Sequence, residues 1–211
     1  MSTPEPTAPS SRPALRTRLF APLPSFLLAA AVVPLLLTAV AVAIQLALLP
    51  SLPAEIIIHW NAAGQPDNWA PAWTLPVMTA AITLLTVGLI VVPAIPPLRD
   101  GDRGPSYRLL AAIAAGLAAL VVVLMTATGW YQTDGREVQL STLISAAALA
   151  ALVVGGAVWL AQPRHEAPAD KSVAVDPLTV TPGERVVWLR TATAAGGVIA
   201  LTVAMFFLLL I

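Results

Sequence analysis

The stretch FLLAAAVVPLLLTAVAVAIQLALL, residues 26–49, decides what kind of object this chain is. It runs from Phe26 to Leu49 without a charged side chain. About 20 apolar residues of helix cross the ~30 Å of hydrocarbon in a bilayer, whereas the core of a secretory signal needs only about 7–15. With Arg12, Arg16 and Arg18 just before it, the run reads as an uncleaved first membrane helix. Lipid offers no partner for a bare N–H or C=O, so the segment must be helical. Pro34 inside it is expected to bend that helix.

Four more uncharged apolar runs follow, at about 74–96, 109–129, 139–161 and 191–211. Pro93, Pro96 and Pro97 crowd the end of the first of these and are expected to stop it. The fold class that results is an all-α integral membrane protein with five transmembrane helices and a short, turn-rich outer loop. The composition agrees: 58% of the 211 residues are hydrophobic and 10% charged, against about 25% charged in a typical soluble domain. Lys+Arg and Asp+Glu are 11 each, so net charge gives no case for nucleic acid. Cysteine is absent, which removes disulfides, thiolate metal sites and cysteine nucleophiles. No motif calls for a cofactor.

Orientation follows from the basic residues. With the N-terminus in the cytoplasm, the inner segments hold Arg12, Arg16, Arg18, Arg99, Arg103, Arg108, Arg164, Lys171, Arg185 and Arg190, and the outer segments hold only Arg136. That asymmetry is the positive-inside pattern of a plasma-membrane protein, with its C-terminus outside. Trp60, Trp69, Trp73 and Trp130 fall at the outer face, Trp159 and Trp188 at the inner. Residues 1–22, rich in Pro, Ser and Thr, read as a disordered cytoplasmic tail. Residues 23–100 form a helix pair around the outer loop 50–73, and 101–162 carry helices three and four. Residues 163–190 form an inner segment in which Thr181, Pro182 and Glu184 fit a helix start. The final run ends in FFLLLI without a polar flank, which fits a shortened relative of something longer.

The spans themselves offer little chemistry. Proton relays and coupled transporters place ionisable groups at membrane depth, and these runs have none. Gln45, near the outer end of the first helix, is the most polar side chain inside a span; Thr38, Thr83, Ser145 and Thr202 supply hydroxyls for contacts between helices. Small residues recur at four-residue spacing, Ala112 and Gly116 in the third helix and Ala192, Gly196, Ala200 and Ala204 in the fifth. They mark either packing inside the bundle or a seam between two copies, so an oligomer stays open.

The outer loop is the richest stretch. EIIIHW, residues 55–60, is β-branched and aromatic enough for a short strand, with Glu55, Ile57 and His59 on one face and Ile56, Ile58 and Trp60 on the other. Asn61 to Asn68 is dense in turn formers: Gly64 supplies a positive φ, and Pro66 presets a turn through Asp67 and Asn68. Such a turn swings Asp67 back towards His59, where a carboxylate fixes the tautomer of the ring. Three roles fit His59: holding the loop's shape, recognising a peptide or protein outside the cell, or serving a metal or catalytic site with Glu55 and Asp67. A structural zinc needs more ligands than one His and two carboxylates supply.

Pro53, His59-Trp60, Gly64, Pro66-Asp67 and Trp69, placed just after a first membrane helix, resemble domain of unknown function 1648. That domain forms the N-terminal part of membrane proteins similar to the immunity protein against a sporulation-delaying toxin. The resemblance covers about residues 25–100. It implies a multi-helix membrane protein; some relatives protect cells against secreted peptide toxins and take part in signalling. Members often carry a Lys soon after the Trp, where this chain has Ala70-Pro71-Ala72-Trp73, and the C-terminal half of the immunity proteins has no counterpart here. The candidate binding residues are therefore His59, Trp60, Asn61, Gly64, Pro66, Asp67 and Trp69. The expected function is non-enzymatic recognition of an extracellular peptide or membrane-protein partner, with a structural or accessory subunit of a membrane assembly as the alternative.

Overall fold

A computed structural model describes residues 22–100, 104–133 and 139–164. Four helices there are long and apolar enough to cross a membrane: α1 Pro22–Ser51, α2 Thr74–Arg99, α3 Ser106–Thr133 and α4 Leu140–Ala161. Between α1 and α2 lies a two-stranded antiparallel hairpin, β1 Glu55–Trp60 and β2 Pro66–Pro71. The tail 1–21, the helix start expected at Thr181 and the fifth run 191–211 lie outside the described residues.

Pro34 shapes α1 as a proline in a helix must. It has no N–H for the carbonyl of Ala30, and its ring crowds that carbonyl. One turn earlier the helix widens to a π-turn over Leu28–Val32, where Val33 N–H donates to Leu28 C=O. In α2 the expectation needs correction: the helix runs through Pro93, Pro96 and Pro97 and ends at Arg99. Proline's fixed φ suits a helix, and a helix packed among neighbours tolerates the lost donors. Val91, Ala94 and Leu98 are buried among those prolines and hold the segment in place.

The arrangement is a bundle of α1, α2 and α3, with α4 added on the far side of α3. Lipid tails are as apolar as leucine, so packing contacts and hydrogen bonds hold these helices together. At the end opposite the hairpin, Phe26, Ala29 and Ala30 of α1 pack with Val87, Ile90, Val91 and Ala94 of α2 and Leu110, Ala111 and Ala114 of α3. Phe26 meets Tyr107 edge to face, with ring centroids 5.9 Å apart. The α3–α4 contact is closer still. A Cβ on Gly155 would stand 2.9 Å from the carbonyl oxygen of Ala112, and one on Gly116 would stand 3.0 Å from that of Ala151. Ala112 and Gly116 thus mark packing inside the bundle, and their face is not a seam between copies. One turn further towards the end opposite the hairpin, Arg108 extends this contact: Nη2 donates to Trp159 C=O at 2.5 Å, and the guanidinium lies 4.5 Å from the centre of the Trp159 ring.

Candidate functional site

The hairpin is built from a strand that wants to pair and a turn that lets it. Ile56 is fully buried beneath the sheet, which anchors β1 to the bundle. The chain reverses over Asn61–Gln65. Asn61 C=O accepts from Gly64 N–H at 2.8 Å, and Asn61 N–H donates to Gln65 C=O at 2.9 Å. Asn61 Oδ1 accepts from Ala63 N–H at 2.9 Å and Gln65 N–H at 3.0 Å, an Asx-type brace from inside the turn. Gly64, at φ 76°, takes the left-handed conformation expected of it.

The sequence reading placed the turn too late. Pro66, Asp67 and Asn68 are not a turn; they open β2, which pairs Pro66 with Trp60, Asn68 with His59, Trp69 with Ile57, Ala70 with Ile56 and Pro71 with Glu55. Asp and Asn are poor strand formers, and a proline is admitted only at a strand's first residue or edge, so PDNWAP carries little strand signal of its own. Pairing with β1 overrides that weak preference. Strand pairing, not a turn at Pro66, is also what brings Asp67 to His59.

His59 Nδ1 lies 2.6 Å from Asp67 Oδ1, with the two side chains 28% and 41% exposed. A pair this open contributes about 0.2–1 kcal/mol, so it fixes the ring's orientation more than it holds the fold. His59 Nε2 is closed off from solvent and has no hydrogen-bond partner among the described residues. Around the pair the hairpin presents Trp69, Asn68 and Pro66 outwards, with Trp73 exposed just beyond β2. Glu55 sits at the far end of β1, opposite Pro71, so the trio of His59, Glu55 and Asp67 is not assembled. Among the described residues no group of three or more His, Cys, Asp or Glu is placed to hold a metal ion.

Two buried glutamines tie this end together. Gln45 of α1, fully buried, donates through Nε2 to Thr79 Oγ1 of α2 at 3.0 Å and to Thr126 Oγ1 of α3 at 3.1 Å. The hydroxyls that join the helices are thus Thr79 and Thr126, through Gln45, and not Thr83, which is buried with no hydrogen-bond partner among the described residues. Thr38 turns back to Pro34 C=O at 2.9 Å, and Ser145 faces outwards. Gln132 of α3 donates through Nε2 to Ile57 C=O at 3.2 Å and accepts at Oε1 from Ile57 N–H at 2.6 Å. The sequence reading missed Gln132 because the third apolar run stops at Gly129, while α3 continues one turn through WYQT. The signal was Thr128 and Gln132 at helical spacing on either side of Trp130.

Residues 36–84 match the family model described as Domain of unknown function (DUF1648). The matched span takes in the second half of α1, the whole hairpin and the first turns of α2. No curated protein and no solved structure matches the chain. The four apolar helices and this domain mark a membrane protein. The partners that tie the matched span down, Thr126 and Gln132, come from α3, outside the match.

Proposed function

We propose that the chain is a non-enzymatic plasma-membrane protein of five spans, with its N-terminus in the cytoplasm, whose hairpin recognises an extracellular peptide or protein. The observation that carries the reading is the preset hairpin. Its turn is braced by Asn61, its ring–carboxylate pair is set at 2.6 Å, and Trp69 of β2 and Trp73 just beyond it are exposed. A surface fixed before binding loses little entropy when a partner docks, and exposed Trp is the side chain most enriched at binding hot spots. The ten-to-one split of basic residues supports the orientation.

The test is in-cell photo-crosslinking from a probe at Gln65, beside the exposed turn, read by mass spectrometry. A discrete peptide or protein adduct that disappears in His59→Ala and Asp67→Ala is the expected result. Adducts only to the chain itself or to lipid would overturn recognition. That outcome favours the second reading, a structural or accessory subunit, for which the Gln132 fastening of the hairpin to α3 is the supporting observation.

A further inference from the structure

On the hairpin half of the bundle, α1 and α3 leave an open groove between them. Leu36, Val40 and Ile44 line one wall; Val123, Thr126 and Trp130 line the other. Its volume is about 660 Å³. The walls are almost wholly apolar, and no residue of α2 or α4 lines it. We propose that the groove is the seat of this chain's own C-terminal apolar run, residues 191–211. The inference rests on the fifth span of the function proposed above.

Three observations single out that occupant. The described chain leaves α4 beside the start of α3: Gln162 Nε2 donates to Arg108 C=O at 3.4 Å. A span that sets out from this end runs parallel to α1 and α3 and up towards the groove. Its length suits the task, since an uncharged run ending at Ile211 covers about 30 Å as a helix. Its side-chain sizes suit it as well. Arg108 and Arg190 each stand immediately before an apolar run, as headgroup-level arginines do. Counting residue for residue from those two arginines puts Met205 level with Val123 and Leu208 level with Thr126. Of the small residues, Ala192, Gly196 and Ala200 then lie below the groove, where the bundle is closely packed, and Ala204 lies at its lower edge, level with Val122. Met205 and Leu208, three residues apart and so on one helix face, lie at its height, where there is volume to fill.

The chain has no cysteine of its own, so introduced pairs read cleanly. The pairs Val123→Cys with Met205→Cys and Thr126→Cys with Leu208→Cys are oxidised in native membranes of the full-length protein. The control pairs Met205→Cys with Leu149→Cys, a residue of α4 that is 62% exposed. A protease site inserted between Arg164 and Thr181 then separates linked from unlinked fragments on a denaturing gel. The expected result is fragments held together within one chain by both groove pairs, in about tenfold excess over the control, because tethering is common to all the pairs and only docking in the groove sets them apart. Linkage between two chains would overturn the proposal and assign the groove to a second copy. Linkage no greater than the control would overturn it and leave the groove to lipid. An impermeant maleimide on Ile211→Cys reads the topology separately. Labelling from the cytoplasmic side removes the fifth span itself, whereas labelling from outside without groove linkage removes only the docking.

Discussion

Gln132 acts as a third strand, one residue long, for Ile57. Its amide accepts the N–H of Ile57 at 2.6 Å and returns an N–H to the C=O of the same residue at 3.2 Å. Both bonds fall on the edge of β1 that β2 does not cover. An isolated two-stranded hairpin is marginal in water, and this one is held by a side chain from the end of α3 and by the buried Ile56.

Gln132→Ala is therefore expected to loosen the hairpin more than any exposed substitution on it. The variant leaves the N–H and C=O of Ile57 without their partner at a half-buried site, which costs about 1–3 kcal/mol. Hydrogen exchange at the Ile57 amide is the direct readout. Exchange should quicken at Ile57 while the amides of α2 and α4 keep their protection. Unchanged exchange at Ile57 would show that the amide pair does not fasten the strand.

Gln45 offers a second check on the same end of the bundle. It links α1 to α2 and α3 through two hydroxyls, and hydrogen bonds between membrane helices contribute about 0.6 kcal/mol on average, with a maximum near 1.7. Gln45→Leu keeps most of the volume and should cost about 1 kcal/mol. Gln45→Ala removes the same bonds and leaves a cavity as well, so its cost should exceed that of the leucine variant by about 1–2 kcal/mol. Unfolding in detergent micelles ranks the two. Equal losses would mean that packing around Gln45 collapses freely into the space.

Much of this architecture is legible from residue type alone. Uncharged runs of bilayer length locate the four described helices. The β-branched and aromatic run 55–60 marks a strand, and Gly64 stands where a positive φ is needed; the strict two-face alternation expected of that run is not kept, because the pairing shifts register on either side of His59. What escapes the sequence is whatever depends on a distant partner. Pro66-Asp67-Asn68 has the chemistry of a turn, and only its pairing with β1 makes it a strand. Gln132 looks like an interfacial residue at a helix end, and nothing local announces that it reaches Ile57. The prolines of α2 break an isolated helix on paper, yet neighbouring helices and the membrane leave the chain no cheaper path.

The α3–α4 contact separates two adjacent glycines. A Cβ at Gly155 meets the backbone carbonyl of Ala112 at 2.9 Å, whereas one at Gly156 meets nothing within 4 Å. Backbone cannot swing aside as a side chain can, so Gly155→Ala must push the two helices apart, at a cost of about 1–3 kcal/mol. Gly156→Ala should be neutral or slightly stabilising, because Ala exceeds Gly in helix propensity by about 1 kcal/mol. Thermal unfolding of the pair checks the difference. Matching midpoints would mean that the helices do not approach as closely as the geometry shows.

Gly64 tests how far the preset turn matters to binding. Its φ of 76° is a conformation that costs an ordinary L-residue roughly 1–2 kcal/mol, while the space around it is open. Backbone strain, not a clash, is the only penalty for a side chain there. Gly64→Val should therefore destabilise the turn, and Gly64→Asn, whose side chain tolerates the left-handed region, should recover most of the loss. If the hairpin recognises a partner through its fixed shape, crosslinking yield from Gln65 should follow the same order: wild type and Gly64→Asn high, Gly64→Val low. A valine variant that is destabilised yet crosslinks at full yield would separate the two, and would place recognition in the exposed side chains of β2 instead of in the shape of the turn.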